Sequence, residues 1–481
     1  MIVIKQPSKF VIDRIEIPYN SNESEYRLSM FCVSVDVPGG KCIMNSFTKA
    51  CVYISNEEFE HIYDKEYTDY RDFLKRNYFL VEKNYNEFDR VSQLRKSLEI
   101  PFNDKYLTKG HISEFTILTT TSCNANCFYC YEKGRSRKPM TIETAEKIVN
   151  YIKEYHIKGQ PIQLRWFGGE PLFNMKVIDH IVNGVKDAGI VYNSSMISNG
   201  YLFDDNVVKK AKELWNLNNV QITLDGTEKT YNKVKDYIYK DGPSPFKKVI
   251  DNIDKLIHNN IGVSVRMNMD THNAENLKEL IHILKDKFGN NRHFSCYVYP
   301  LFEEFEERTE EHRAEVYKKL EELHETLDSC GFMSNSAIKD GIRSHHCMCD
   351  NGRAVLICPD GDIGLCEHYS ESEFWGHVDN PEIKDMDMIK SWKVLREPLE
   401  ICKTCAYYPD CVRLDKCVEL RDCSEYIKRW RLREQKYLVR NVFNLWCRNN
   451  PQKFNAMSQP VITPCEIKKE SLWQKIKNIF K

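Results

Sequence analysis

The chain has 481 residues, and its 69 lysines and arginines nearly balance its 70 aspartates and glutamates. A hydrophobic fraction of 42% excludes a disordered chain, and the balanced charge argues against a dedicated nucleic-acid-binding protein. The sequence has no long apolar run and no export signal, so we expect a cytoplasmic protein of two to four domains without stable membrane insertion.

Residues 1–108 are predicted to form a small α+β module. "YRLSMFCVSVDVPGGKCIMNS" alternates apolar and polar residues around "PGG", which is typical of a β-hairpin. Ser55 then stands where a helix N-cap is expected, before "NEEFEHIYDKEY". We interpret the module as winged-helix-like.

Strand-like and helix-like segments alternate between residues 109 and 305. The first strand is "EFTILTTTS", the sixth is "HFSCYVYPL", and amphipathic helices separate them. This alternation predicts parallel βαβ units, and six strands fall short of the eight in a closed barrel. The predicted fold class is therefore α/β, a partial (β/α)6 TIM-like barrel, whose chemistry should lie at the carboxyl ends of the strands.

Three further regions follow the barrel. Residues 306–345 contain a charged helical connector, and residues 346–425 hold most of the remaining cysteines. Residues 426–481 are predicted to be helical. Their last segment, "ESLWQKIKNIFK", is expected to pack on the protein body in preference to a membrane surface.

Cysteine use is unusual, because the chain has 19 cysteines and no export signal. At regular spacings in a reducing compartment, thiols more often bind metal than form disulfides. "SCNANCFYC" follows the first barrel strand and holds Cys123, Cys127 and Cys130. Three thiolates can bind three irons of a cubane cluster and leave the fourth iron open. A zinc site with a distant fourth ligand is the alternative.

With Tyr129 just before its third cysteine, this loop resembles that of the radical SAM enzymes. "WFGGEPLF", "SNG" and "TLDG" follow in the order that the family shows. The resemblance implies a [4Fe-4S] cluster on the three cysteines, chelated by S-adenosylmethionine, whose cleavage yields a 5′-deoxyadenosyl radical. The implied cofactor-binding residues are Tyr129, Gly168, Gly169, Glu170, Ser198, Asn199, Thr223, Asp225, Lys235, Arg266 and Leu301.

One position departs from the family. Many relatives carry an arginine about a dozen residues after the start of "TLDG", where this chain has Lys235. Lysine keeps the charge but lacks the bidentate fork of arginine. Either Lys235 binds the cofactor carboxylate less rigidly, or Arg266 takes that role. For Gly168 and Gly169, the absence of a side chain is expected to let the backbone approach the ligand closely.

The second cysteine field resembles the SPASM extension of the family, which holds one or two auxiliary [4Fe-4S] clusters. Structural zinc is the alternative. Cys358 competes with Cys347 for a place in the ligand set, and Cys423 is preferred to Cys447. The eight implied ligands are Cys347, Cys349, Cys366, Cys402, Cys405, Cys411, Cys417 and Cys423.

Enzymes with this extension mostly modify peptides or proteins, so the resemblance implies a radical SAM oxidoreductase of that kind. The N-terminal module favours a maturase of ribosomally made precursor peptides that forms a thioether or carbon–carbon crosslink, because such a module can bind a leader peptide along a strand edge. A sulfatase-maturase-like enzyme is the alternative; Glu367, a weak candidate base, stands where those enzymes have aspartate. A non-catalytic metal-binding protein is the alternative of another class. A flavodoxin or ferredoxin is the expected electron donor.

Overall fold

The computed structural model describes residues 1–14, 25–64, 68–98, 107–133, 136–289, 291–301, 309–332, 341–343, 345–417 and 423–455. The predicted helix "ESLWQKIKNIFK" lies outside these residues.

The elements of the N-terminal module are β1 (Ile2–Lys5), α1 (Lys9–Ile12), β2 (Tyr26–Leu28), β3 (Cys32–Val37), β4 (Gly40–Asn45), β5 (Cys51–Ser55), α2 (Asn56–Glu60), α3 (Thr68–Arg76), β6 (Leu80–Glu82) and α4 (Glu87–Leu98). They include a four-stranded antiparallel sheet in the order β1-β5-β4-β3 and a two-stranded sheet of β2 and β6. Val37 pairs with Gly40, which confirms the predicted hairpin. Ser55 accepts a hydrogen bond from Glu58 N at 3.2 Å, which confirms the predicted N-cap.

Six parallel strands in the order β12-β11-β10-β9-β8-β7 form the centre of the protein, so the predicted α/β partial barrel is confirmed. The elements are β7 (Glu114–Thr120), α5 (Ile142–Tyr155), β8 (Ile162–Gly168), α6 (Met175–Asp187), β9 (Tyr192–Ser198), α7 (Asp205–Glu213), β10 (Leu217–Thr223), α8 (Glu228–Lys235), α9 (Pro245–His258), β11 (Gly262–Met269), α10 (Ala274–Phe288) and β12 (Phe294–Pro300). Each helix buries one apolar face; on α9, for example, Val249, Ile253 and Leu256 are fully buried.

The sheet is larger than predicted, because the cysteine-rich region adds three strands to it. β13 (Ala354–Ile357) runs parallel to β7, and β14 (Asp362–Gly364) and β15 (Phe374–His377) continue the sheet in antiparallel pairing. Strands of three or four residues are too short for a clear period-2 signal, so the sequence did not predict that β13 and β14 join the barrel. The remaining helices are α11 (Glu310–Ser329), α12 (Met386–Ser391), α13 (Glu425–Asn449) and α14 (Pro451–Asn455).

Helix α13 covers one face of the N-terminal sheet. Val439 is fully buried there, and the ring of Phe443 stacks on Tyr53 with centroids 6.0 Å apart. The apolar residues of β3, β4 and β5 that alternate toward this face, including Val33 and Val35, complete the contact. The packing of α13 therefore holds the N-terminal module against the rest of the chain. None of the helices described here has the length and apolar character that crossing a membrane requires.

We expect Phe443→Ala to destabilise the N-terminal module, because Phe443 is only 2% exposed and its removal leaves a cavity beside Tyr53. The expected loss in the free energy of unfolding is about 3 to 5 kcal/mol. Leu445→Ala is the matched control in the same helix, since Leu445 is 56% exposed and should cost less than about 0.5 kcal/mol. The midpoint temperature of unfolding distinguishes the two variants, and equal midpoints would contradict this account of α13.

Candidate active site

The cysteine loop follows β7 and is held by the end of β8. Gly169 N donates to Thr120 O and Glu170 N donates to Ser122 O, both at 2.9 Å. A Cβ atom on Gly168 would lie 2.1 Å from Thr120 O, and one on Gly169 would lie 2.5 Å from Ser122 O. The chain's own backbone at the end of β7 and the start of the cysteine loop therefore lies too close to these glycines for a side chain; their approach to a ligand stays a prediction.

Glu170 links this strand end to the next one. Its side chain is fully buried and accepts hydrogen bonds from Leu172 N at 3.1 Å, Asn199 N at 2.8 Å and Ser198 Oγ at 2.9 Å. Burial raises the pKa of the Glu170 carboxyl to about 7, although these hydrogen bonds oppose the rise. In this structure the carboxylate joins the ends of β8 and β9 and does not face the solvent.

Two asparagines connect β9 to the first cysteine. Asn199 Nδ2 donates to Asn124 Oδ1 at 2.6 Å and lies 3.8 Å from Cys123 Sγ. Asn124 Nδ2 is buried and has no hydrogen-bond partner among the described residues. The sequence analysis missed Asn124, since nothing except its place inside the cysteine loop distinguishes it.

The three thiols of the loop lie close enough to influence one another. Burial, helped by the charges of Glu170, Cys127 and Cys130, raises the pKa of Cys123 to about 12. Burial likewise raises the pKa of Cys130. Among the described residues, no three His, Cys, Asp or Glu side chains converge tightly enough to hold a single metal ion. A cubane cluster has a different requirement, since each thiolate binds a separate iron.

A buried ionic network lies beside the loop. Lys235 is 1% exposed, and its Nζ contacts Asp225 Oδ2 at 2.8 Å, Thr223 Oγ1 at 2.6 Å and Tyr129 OH at 2.9 Å. Tyr129 OH donates to Asp225 Oδ2 at 2.6 Å. Burial disfavours the Lys235 cation, but the Asp225 carboxylate together with the charges of Cys127, Tyr129 and Tyr231 outweighs burial, so the pKa of Lys235 lies well above its ordinary value. An ammonium has three N–H donors, and the protein occupies all three.

Two residues of this network were missed by the sequence analysis. Asn268 Nδ2 donates to Asp225 Oδ1 at 3.0 Å and to Tyr129 OH at 3.2 Å. Asn273 Nδ2 donates to Asn268 O at 2.9 Å and so supports it. A polar residue within the buried end of β11 was a usable signal for Asn268, because the carboxyl ends of the other strands carry site residues too.

An open cavity of about 800 Å³ lies next to this network. Tyr129, Asp225 and Leu301, all predicted cofactor-binding residues, line it, and so does Asn268. Arg266 stands nearby: its Nε donates to Asn268 Oδ1 at 2.9 Å, and its guanidinium lies 4.9 Å from the ring centroid of Tyr299. The cofactor-binding roles of these residues stay predictions.

The later cysteines form two groups. Cys349 lies against both Cys347 and Cys366. The hydrogen bond with Cys349 lowers the pKa of Cys347. Hydrogen bonds with both neighbouring thiols raise the pKa of Cys349 well above its ordinary value. Cys417 Sγ lies 3.4 Å from His346 Nε2, beside this first group. Cys358, the alternative to Cys347, donates instead to Ser370 O.

The second group consists of Cys402, Cys405, Cys411 and Cys423. Burial, helped by the charges of the other three thiols, raises the pKa of the Cys423 thiol to about 11. Cys447, the alternative to Cys423, lies on α13 and packs against the N-terminal sheet. The later thiols thus fall into a set of three with Cys417 nearby beside His346, and a set of four; their roles as cluster ligands stay predictions.

Glu367 directly follows Cys366 in a short 3-10 helix, Glu367–Tyr369. In the same helix, the ring of His368 lies 4.8 Å from that of Tyr131, which follows Cys130. The short helix after Cys366 is therefore in side-chain contact with the residue that follows Cys130. The role of Glu367 as a base stays a prediction.

Residues 117–287 match the model of the radical SAM superfamily, so this chain contains a radical SAM domain and the predicted enzyme class is confirmed. The chain is 24% identical over 282 residues to the GTP 3',8-cyclase of Clostridium perfringens, covering 55% of this chain and 83% of that protein. It is 27% identical over 172 residues to the sporulation killing factor maturation protein SkfB of Bacillus subtilis, covering 34% and 38%. The solved structure of anSMEcpe with bound AdoMet has a TM-score of 0.52 and 15% identity, covering 69% of this chain and 99% of that one.

The cofactors of this enzyme class are a [4Fe-4S] cluster and S-adenosylmethionine. The donor set fits the cluster: three thiols share one loop, and Cys123 Sγ accepts a hydrogen bond from Ala125 N at 3.4 Å. The unpaired Nδ2 group of Asn124 is a further buried donor next to Cys123. Such N–H groups influence the reduction potential of iron–sulfur clusters. Cys123, Cys127 and Cys130 would hold the cluster.

We expect Gly169→Ala to displace the cysteine loop, because the new Cβ atom would meet Ser122 O at 2.5 Å. Iron per chain after anaerobic reconstitution should fall by about four, the content of one cubane. Gly189→Ala is the control, since a Cβ atom there meets nothing within 4 Å and only the positive φ of 70° carries a cost. Full iron retention by Gly169→Ala would contradict the proposed constraint.

We expect Lys235→Met to destabilise the protein by about 3 to 5 kcal/mol, because it leaves the Asp225 carboxylate buried without a cation. The double variant Lys235→Met/Asp225→Asn removes both charges and should recover most of that loss. The midpoint temperatures of unfolding of the two variants test this expectation. A double variant as unstable as the single one would show that the ion pair is not the source of the loss.

Proposed function

We propose that this protein is a radical SAM peptide maturase that removes hydrogen from a ribosomally made precursor peptide and forms a thioether or carbon–carbon crosslink. One observation carries the proposal. The three-cysteine loop follows β7, the cysteine-rich region contributes the neighbouring parallel strand β13, and the ring of Tyr131, next to Cys130, lies against that of His368, two residues after Cys366. Two cysteine segments that share one sheet and a side-chain contact suit an enzyme that must also bind a substrate thiol or accept an electron.

The electron balance of a crosslink supports a second redox centre. Joining two atoms of a peptide removes two hydrogen atoms, so two electrons must leave the substrate. When bound, the cluster and S-adenosylmethionine supply a 5′-deoxyadenosyl radical, which takes one hydrogen atom. The other leaves as a proton and an electron, and a cluster on the auxiliary cysteines would accept that electron. A flavodoxin or ferredoxin remains the proposed external electron donor.

Residues around the cavity have distinct roles in this proposal. Glu170 fixes the cysteine loop, and the Lys235–Asp225 pair holds the ring of Tyr129 at the wall of the cavity. Arg266 is the better candidate for the carboxylate of the cofactor, because the three donors of Lys235 are already occupied. The Nη groups of Arg266 have no hydrogen bond to another described residue.

Two further facts favour a peptide substrate. SkfB, a relative by sequence, is named as a maturation protein. In the N-terminal module, β1 and β3 are the two edge strands of the described four-stranded sheet. An edge strand can bind an extended peptide through backbone hydrogen bonds. We therefore propose that the module binds part of the precursor.

The first test is the iron and sulfide content after anaerobic reconstitution. We expect roughly twelve irons per chain, falling to about eight in a Cys123/Cys127/Cys130→Ala triple variant, since each cubane contains four. The matched control replaces Cys296, Cys330 and Cys447, which lie outside the three thiol sets, and should retain all the iron. Zinc in the later cysteines would remove auxiliary clusters from the proposal. Failure of the fully loaded protein to release 5′-deoxyadenosine under reductant would refute catalysis.

A further inference from the structure

Three lysines that have no acidic partner within the described part of the chain line the cavity beside the site. Lys133 follows the cysteine loop, and Lys229 and Lys233 lie one turn apart on the same face of α8. All three are exposed, and none of their ammonium groups forms a hydrogen bond or ion pair with another described residue. Glu228, the acidic neighbour on α8, pairs instead with Lys247 at 3.6 Å.

Each carboxylate that lines the same cavity already has an ion-pair or hydrogen-bond partner. Asp225 is paired with Lys235 at 2.8 Å, and Asp236 with Lys240 at 2.7 Å. Asp270 Oδ1 accepts hydrogen bonds from His272 N and Asn273 N, both at 2.8 Å, just before α10. Among the described residues that line the cavity, the three lysines without an ion pair therefore give an excess of positive charge.

S-adenosylmethionine does not remove this excess. It carries one carboxylate, but it also carries a sulfonium cation, so its binding adds no net negative charge. Concave sites lined by one sign of charge concentrate ligands of the opposite sign. Acidic groups on the other molecule in the cavity, the substrate, would therefore meet charge of the opposite sign.

The cavity has room and surface for a peptide segment. Its volume of about 800 Å³ is at the upper end of the range for sites that bind drug-sized ligands. Phe128, Val234 and Leu301 give it an apolar wall, and the side chain of Phe128 is 56% exposed. A chain segment that combines apolar and acidic side chains matches both parts of this surface.

We propose that this cavity binds a substrate segment with aspartate or glutamate side chains next to the residue that reacts, and that Lys229 and Lys233 bind those carboxylates. The inference rests on the proposed function and specifies its substrate class. Lys133, on the other side of the cysteine loop, adds to the same positive field. The lysines are specificity-determining residues and take no part in the formation of the radical.

The test compares two synthetic probes, acetyl-Gly-Asp-Glu-Cys-Glu-Asp-Gly-amide and its twin with Asn and Gln in place of Asp and Glu. With reconstituted enzyme and S-adenosylmethionine at low salt, we expect the acidic probe to bind about ten-fold more tightly. In the double variant Lys229→Gln/Lys233→Gln the preference should fall to about two-fold. The control is Lys209→Gln/Lys212→Gln on α7, which removes two exposed lysines outside the cavity and should keep the preference.

The possible outcomes separate this inference from the proposed function. Equal binding of both probes by the wild type, or the same preference in both double variants, overturns the inference. An equal loss of affinity for S-adenosylmethionine in Lys229→Gln/Lys233→Gln also overturns it, because the lysines would then bind the cofactor carboxylate. Release of 5′-deoxyadenosine without peptide is measured in parallel; its absence in the wild type counts against the proposed function alone.

Discussion

The site depends on the hydrogen bonds between the end of β8 and the cysteine loop. Gly169 N donates to Thr120 O, and Glu170 N donates to Ser122 O. A Cβ atom on Gly168 or Gly169 would collide with the same backbone. This contact fixes the first cysteine of the loop relative to the sheet. A cluster ligand must be held within a fraction of an ångström, and a strand end that already belongs to a nine-stranded sheet supplies such rigidity.

The buried ion pair of Lys235 and Asp225 also stabilises the site. Burying the Lys235 cation and the Asp225 carboxylate is unfavourable for each alone, and the pair is tolerated because every polar atom finds a partner. Tyr129 and Asn268 take part in the same network, so the aromatic wall of the cavity and the end of β11 are aligned by one set of hydrogen bonds. The buried charges of Lys235 and Asp225 bind each other and cannot also bind a substrate. The exposed ammonium groups of Lys229 and Lys233 can do so.

Sequence reasoning succeeded where a residue type has one dominant physical use. Regular apolar periodicity predicted the six barrel strands, and the resemblance of the loop with Cys123, Cys127 and Cys130 to that of the radical SAM enzymes predicted the radical SAM domain. It failed for short elements: β13 and β14 are held by pairing with neighbours, and a few residues carry no periodic signal. It also missed Asn124 and Asn268, because the partner of an amide depends on which strand ends meet in three dimensions.

The addition of β13 to β7 has a mechanistic consequence. In the proposed function an electron passes between two clusters, and two clusters supported by adjacent strands would keep their separation whatever the surrounding loops do. Placed on one sheet, the cysteine loop and the first auxiliary thiol group share a common rigid support. A flexible linker between two independent domains would let that separation vary. In the proposed function, the extended sheet is therefore the structural reason to regard the cysteine-rich region as part of the active site and not as a separate metal-binding domain.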